Sequence, residues 1–179
     1  MRSANDGIYE TANNSGDRFL PIGTVSLYDT NAAIAKATRC IKDLKMLGIQ
    51  IVSNVNGDPL GSPRFEPFYS AMENLGRPIW IHPTFMRHSY PWLKEFNTNI
   101  MVGWGFDITL SMIQLVGSGI IKRHRKLKFI THHLGSLVSL LGGRISTFLD
   151  NHNPGTLQNE SFDSLSYLKA FYVDTAEGM

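Results

Sequence analysis

The feature that most constrains this chain is a repeated switch of period. Short apolar runs, Ile22 to Leu27, "IQIVSN", "PIWIHPT", "KLKFITHH" and "FYVDT", alternate with stretches patterned like helices. The runs IQIV, PIWI and KFI are continuously apolar rather than alternating, as expected of strands covered on both faces. Strand and helix in alternation imply a parallel sheet built from right-handed βαβ units. An open doubly wound sheet and a (β/α) barrel both fit that pattern. No GxGxxG follows a strand and no GxxxxGK[ST] occurs, which argues against a nucleotide fold.

Local signals place the helices. "YDTNAAIAKATRCIKDLKMLG" opens on cap-forming residues, Asp29 to Asn31, and Gly48 stops it. "RFEPFYSAMENLG" closes at Gly76, and "FDITLSMIQLVGSGIIKRH" is helical with Asp107 near its start. "SLVSLLGGRISTFLDNH" reads as a helix interrupted by a Gly-Gly pair, and "SLSYLKA" as a short helix. Residues 1–17 are polar and poorly defined, although part of them can be helical up to Asn14.

Composition narrows the class. The chain has 179 residues, 42% hydrophobic and 18% charged, which suits one globular domain with a sizeable core. A net charge of +2 does not argue for nucleic acid or a membrane surface. The run "KRHRK" could bind phosphate, but a solvated helix end is the commoner explanation. A single cysteine, Cys40, excludes an intramolecular disulfide framework, and its helical setting suggests a half-buried thiol. With no signal peptide and no apolar run of membrane-spanning length in the sequence pattern, the expected location is the cytoplasm.

Polar residues collect at the C-terminal ends of the strands: Ser53 and Asn54, His82, Thr131 to His133, and Asp174. In parallel α/β folds that edge holds the site, because the βα loops open there. His82 reads either as a core histidine bonded to a nearby carbonyl or as a metal ligand. Strand alternation puts Thr131 and His133 on one face and His132 on the other, so at most one of the two histidines should face a barrel mouth unless the strand has already bent. Asp174 is either a partner of a site residue or a helix cap. His88, His124 and His152 sit in loop or helix-end settings and read as surface residues. Trp80, Trp92 and Trp104 read first as packing residues, although Trp92 and Trp104 lie in the long segment after His82, where they could contact substrate.

Taken in order, NVNG-x-PL, IHP, HHLG followed by GRI, and DTA resemble amidohydrolase-related family 2, the branch typified by aminocarboxymuconate-semialdehyde decarboxylase. The resemblance runs from about Arg18 to Ala176. It implies a (β/α)₈ barrel with a divalent metal, usually zinc, and a carboxylate-bearing small-molecule substrate that is decarboxylated, hydrated or hydrolysed. It implies that His82 is a metal ligand, His133 the catalytic histidine, and Arg144 the match to the family's GRI arginine. Trp104 is then a substrate contact, with His132 and Asp174 as supporting neighbours. The family's HxH pair and its GSD-type aspartate have no counterpart here. The chain therefore resembles an internal piece of the barrel, about strands 3 to 7, lacking the first and last. Such a piece should hold metal weakly and show little activity alone. Its two exposed sheet edges favour self-association, which the family resemblance implies would be dimeric, or completion by a partner chain.

Overall fold

A computed structural model describes residues 2–84, 91–151 and 163–175. The chain runs α1 (Arg2–Asn13), β1 (Gly23–Thr24), α2 (Thr30–Lys42), β2 (Ile49–Val52), a small hairpin of β3 (Asn54–Val55) and β4 (Asp58–Pro59), α3 (Glu66–Leu75), β5 (Ile79–His82), α4 (Trp104–Gly117), α5 (Ile120–Arg123), β6 (Phe129–Thr131), α6 (Val138–Asn151), α7 (Ser164–Leu168) and β7 (Tyr172–Val173). The five strands foreseen from sequence form one sheet in the order β1-β2-β5-β6-β7, and every neighbouring pair is parallel. Each strand adds beside its predecessor, so the order never reverses. A doubly wound sheet has a switch point; a barrel segment has none. The strand order thus decides what local patterns left open, and the sheet stays open rather than closing on itself.

Alternation along the strands sorts the two faces. Ile49, Ile51, Ile79, Ile81, Phe129 and Thr131 are buried, and the apolar ones pack with Ala37, Cys40, Phe68, Met72, Ile108 and Leu115 of the helices. Gln50, Val52, Trp80, His82 and Ile130 face the other way and are half-buried or exposed. Cys40 is fully buried rather than half-buried, because the β1 glycine packs directly on it: a Cβ at Gly23 would lie 2.9 Å from Cys40 Sγ.

Several local expectations change. The helix opened by Asp29, whose side chain accepts from the Ala32 N–H, ends at Lys42 and not at Gly48. Lys45 turns the chain through a positive φ of 53°. Gly48 instead admits Trp80, whose ring would lie 2.3 Å from any Cβ there. Gly76 ends α3 at φ 63°, as its position suggested. The helix at 106–124 breaks at Gly119, φ 77°, into α4 and α5. By contrast α6 runs unbroken through Gly142 and Gly143. A glycine in a helix interior costs about 1 kcal/mol against alanine and does not oblige a break.

The helical stretch Glu95–Gly117, 23 residues of mean hydropathy 1.4, is long and apolar enough to cross a membrane, contrary to the sequence reading. Part of it is core, since Ile108, Met112, Leu115 and Val116 are buried together with Asp107, whereas Ile100, Met101, Val102, Phe106 and Leu110 are exposed.

The basic run at 122–126 is tied down by carboxylates. Arg123 donates to both oxygens of Glu66 at 2.9 and 2.8 Å. His124 sits 2.9 Å from Glu66 and 3.1 Å from Glu73, and the Lys126 N–H donates to Glu73. His124 is only 6% exposed, so it is not the surface residue expected. Its backbone setting at a helix end gave no sign that α3 would fold two glutamates over it.

In the N-terminal segment, α1 brings Asn5 against β1. The Asn5 amide accepts from the Thr24 N–H at 2.8 Å and donates to the Thr24 carbonyl at 2.9 Å. It replaces a neighbouring strand for that residue and blunts one sheet edge. Asn5 is 2% exposed. Asn5→Ala should lower the unfolding free energy by about 1–3 kcal/mol, read from urea denaturation, because two buried peptide groups lose their partners. A second measurement concerns acid. Arg123 first, then His124, hold Glu66 below the usual carboxylate range, and the Lys126 N–H does the same for Glu73. Depressed carboxylates stabilise the fold above the unfolded value and lose that contribution as pH falls through the folded one. The urea midpoint should therefore drop between about pH 5 and pH 3, less steeply in Glu66→Gln and Glu73→Gln variants.

Candidate functional site

Two strand ends and one helix are joined by a buried carboxylate. Asp107, one turn into α4, is 4% exposed. It accepts from the Ser53 hydroxyl, from Asn54 Nδ2 at 3.1 Å and from the Thr84 N–H at 2.9 Å. Ser111, one turn later, donates to the Ser53 carbonyl at 2.8 Å. The loops after β2 and β5 are thereby fixed to the start of α4. Asp107 had been seen only as a residue near a helix start; the signal available was a lone acid inside the apolar run "GWGFDITLSMI".

On that frame the half-exposed face of the sheet carries a row at its C-terminal edge. Val52 pairs with His82, and Ile81 pairs with Thr131, which pairs with Val173. One residue further along, the His132 N–H reaches the Ile81 carbonyl at 3.4 Å and the Asp174 N–H reaches the Thr131 carbonyl at 3.0 Å. His82, His132 and Asp174 therefore stand side by side on adjacent strands. The His82 and His132 rings are 4.9 Å apart.

Hydrogen bonds orient both imidazoles. His82 Nδ1 lies 2.7 Å from the Pro83 carbonyl, which can only accept, so Nδ1 carries the proton and Nε2 keeps its lone pair. Of the two sequence readings of His82, the bond to a nearby carbonyl is the one observed. His132 Nδ1 lies 2.8 Å from Asp174 Oδ2. Burial pushes the His132 pKa below its ordinary value, outweighing Asp174, with His82 and His133 adding to the depression. A neutral His132 that donates from Nδ1 also leaves Nε2 as a bare acceptor, and that atom is buried with no hydrogen-bond partner. Asp174 is thus a partner of His132. A histidine held this way by a carboxylate is a familiar arrangement at metal centres.

The two histidines do not part as ideal alternation requires. β6 ends at Thr131, and the next residues leave extended geometry: His133, Leu134, Gly135 and Ser136 all have positive φ, 56°, 52°, 72° and 54°. Only glycine adopts this freely, and Gly135 is needed twice over, since a Cβ there would meet Val173 at 2.9 Å. Left-handed non-glycine residues cost about 1–3 kcal/mol each and tend to gather at functional sites. The bend returns His133 to the cluster. Its ring lies 5.8 Å from Trp104 and 6.3 Å from His132, while Trp104 lies 6.0 Å from His82.

His82, His132, His133, Asp174 and Trp104 are thus brought together. Arg144 is not among them in any described contact; it is exposed on α6 with its guanidinium 5.1 Å from the Phe148 ring. Trp92 is 53% exposed. His88 and His152 fall outside the described residues. Among the described residues no group of three or more His, Cys, Asp and Glu side chains is placed to hold a metal ion.

With this geometry the relatives become informative. The amidohydrolase family profile (Amidohydro_2) matches residues 2–177. The chain belongs to the amidohydrolase family. It is 28% identical over 178 residues to 2-amino-3-carboxymuconate-6-semialdehyde decarboxylase of Dictyostelium discoideum, covering 96% of this chain and 47% of that protein. It shares its fold with 5-carboxyvanillate decarboxylase LigW from Sphingomonas paucimobilis (TM-score 0.84, 22% identity, 96% of this chain and 52% of that one). A 5-carboxyvanillate decarboxylase from Novosphingobium aromaticivorans, solved with manganese and 4-hydroxy-3-methoxy-5-nitrobenzoic acid, matches at 26% identity and TM-score 0.77, over 82% of this chain and 42% of that one. The chain spans about half the length of these relatives.

The frame beneath the histidine cluster can be tested directly. Asp107→Asn should cost about 1–3 kcal/mol in urea unfolding, since an amide cannot accept from every donor that now points at the carboxylate. The same change should speed hydrogen exchange at the Thr84 amide.

Proposed function

We propose that this chain forms part of a metal-dependent, non-hydrolytic decarboxylase acting on an aromatic or unsaturated carboxylate, and that it corresponds to about strands 3 to 7 of the family barrel. The observation that carries the reading is the pair His82 and His132 on adjacent strand ends, each held by its Nδ1 so that Nε2 is left as an acceptor. The decarboxylase names of the relatives support it.

His82 fits the metal: a rigid strand-end imidazole with its ligand nitrogen already selected. A catalytic site needs about three protein ligands, so further donors must come from strands outside the described sheet. When bound, the metal supplies positive charge to the carboxylate end of the substrate. The divalent ion in the solved relative is manganese, and nothing in the His82 site itself selects zinc over manganese.

The remaining steps fall to this chain's own side chains. His133, backed by Trp104, holds a proton at the ring edge nearest the substrate and delivers it to the carbon that bears the carboxylate. The new C–H bond takes its pair from the ring or alkene π system; the carbon–carbon bond then breaks, its pair restores that π system, and carbon dioxide departs. His132, oriented by Asp174, keeps His82 in place. Arg144 enters only if a neighbouring chain or an unseen segment presents substrate to α6.

A second reading, a barrel completed by another chain, is favoured by the far sheet edge, where Tyr172 and Val173 are 53% and 49% exposed. One experiment addresses both. The 179-residue chain alone, dialysed against manganese or zinc, should retain less than one ion and release no carbon dioxide from hydroxybenzoates. Supplied with a segment carrying an HxH strand and a GSD-type strand from a relative, it should gain metal, and His82→Ala should abolish that gain. Stoichiometric metal held by the unsupplemented chain would sink the proposal.

A further inference from the structure

The end of the sheet opposite the histidines carries a second constellation, which the proposed chemistry does not use. A cleft of about 810 Å³ opens where β6 and β7 begin, between the α5–β6 connection and α7. Arg125, Lys126 and Lys128 line it from the connection, Tyr167 from α7 and Tyr172 from β7. Asp163, the N-cap of α7, is the carboxylate of its lining. Small-molecule sites commonly enclose about 300–1,000 Å³, so the cleft is of ligand size.

The basic run beside it divides in two. Glu66 takes Arg123 and His124, and Glu73 takes His124 and the Lys126 N–H. Both ring nitrogens of His124, which also lines the cleft, are thereby occupied. Arg125, Lys126 and Lys128 are exposed and form no salt bridge among the described residues. Glu73 feels the Lys126 charge, but it is already committed to His124 and the Lys126 N–H. Lys128 Nζ stands 5.5 Å from the centroid of the Tyr172 ring, a contact that holds the ammonium at the cleft without neutralising it. Asp163 is turned to its own helix, accepting from the Ser166 N–H at 3.1 Å and from the Ser166 hydroxyl.

Three cations against one carboxylate leave the lining positive. A cleft of one sign with low-dielectric walls focuses its field and concentrates counter-ions. Phosphate suits such a lining, since arginine grips it with paired N–H groups and lysine meets it as a point charge. A bare ion would leave the rest of the cleft unfilled, because Leu127 and Phe129 give it a buried apolar floor and Tyr167 adds a ring. We propose that this cleft binds a phosphorylated aromatic molecule of nucleotide size, its phosphates on Arg125, Lys126 and Lys128 and its ring system against Tyr167. Side chains carry the recognition, which needs no glycine-rich phosphate loop, and the chain has none. The site lies at the N-terminal ends of the strands, away from His82 and His132, and stands independently of the decarboxylase reading. That end of a barrel serves stability rather than chemistry, so the ligand acts by stabilising the fold.

The test is isothermal titration of the full 179-residue chain with ATP, tripolyphosphate and adenosine, with no divalent metal present. ATP should bind one to one and raise the Tm, and adenosine should give no heat. Tripolyphosphate should bind about tenfold more weakly than ATP, because it lacks a ring to stack. Arg125→Ala and Lys128→Ala should each weaken ATP binding about tenfold. Tyr167→Leu should weaken ATP and leave tripolyphosphate unchanged. Lys42→Ala, which removes an exposed cation from α2, should leave both unchanged. Circular dichroism on each variant separates loss of the cleft from loss of fold. Absence of ATP binding overturns the proposal, and so does tripolyphosphate binding as tightly as ATP. Equal losses in Lys42→Ala and Arg125→Ala overturn it too, since net charge alone would then explain the binding. A single-stranded oligonucleotide that displaces ATP at lower concentration overturns it in favour of nucleic acid.

Discussion

The site depends on one buried carboxylate. Removing a charge from water costs several kcal/mol unless donors replace the hydration. Asp107 has them: a hydroxyl, an amide and a backbone N–H from the ends of β2 and β5. Those donors belong to loops that would otherwise be free at the open edge of the sheet. Because Asp107 sits on α4, the same interaction sets where Trp104 and the turn preceding it stand relative to His82. The placement of His82 and Trp104 is therefore tied to a carboxylate that bonds to Ser53, Asn54 and Thr84.

The second ordering principle is sheet register. Parallel pairing places equivalent positions of neighbouring strands side by side, so His82, His132 and Asp174 align without any long-range instruction beyond the ladder. What the ladder cannot do is choose a tautomer. The Pro83 carbonyl does this for one ring and Asp174 for the other, and both choices leave Nε2 as the acceptor. The strained turn from His133 to Ser136 then recovers the residue that alternation would have lost to the far face. Its cost is borne in exchange for a second histidine reaching the same neighbourhood.

How much of this could be read beforehand varied with the range of the interaction. The five strands and the polar character of their C-terminal ends were legible, because period and composition are local. So were Asp29 and Gly76 as caps. The Gly-Gly pair misled, since packing on α4 and α7 holds α6 together despite poor propensity. His124 misled for a different reason: its burial comes from Glu66 and Glu73, more than fifty residues earlier. Asn5 and Asp107 went unread because each acts on a segment remote in sequence, Asn5 on an edge strand and Asp107 on two loops.

By itself the sequence determined the α/β alternation, the family resemblance, and which histidines lie at strand ends, since each follows from residue order. The tertiary structure alone decided that the strands add in sequence without a switch point, that His132 and His133 share one cluster, and that Asp174 pairs with His132. The reason is physical. Residue order fixes the face a side chain takes while the chain stays extended, but only packing decides where the strand stops. Here it stops at Thr131, one residue before both histidines.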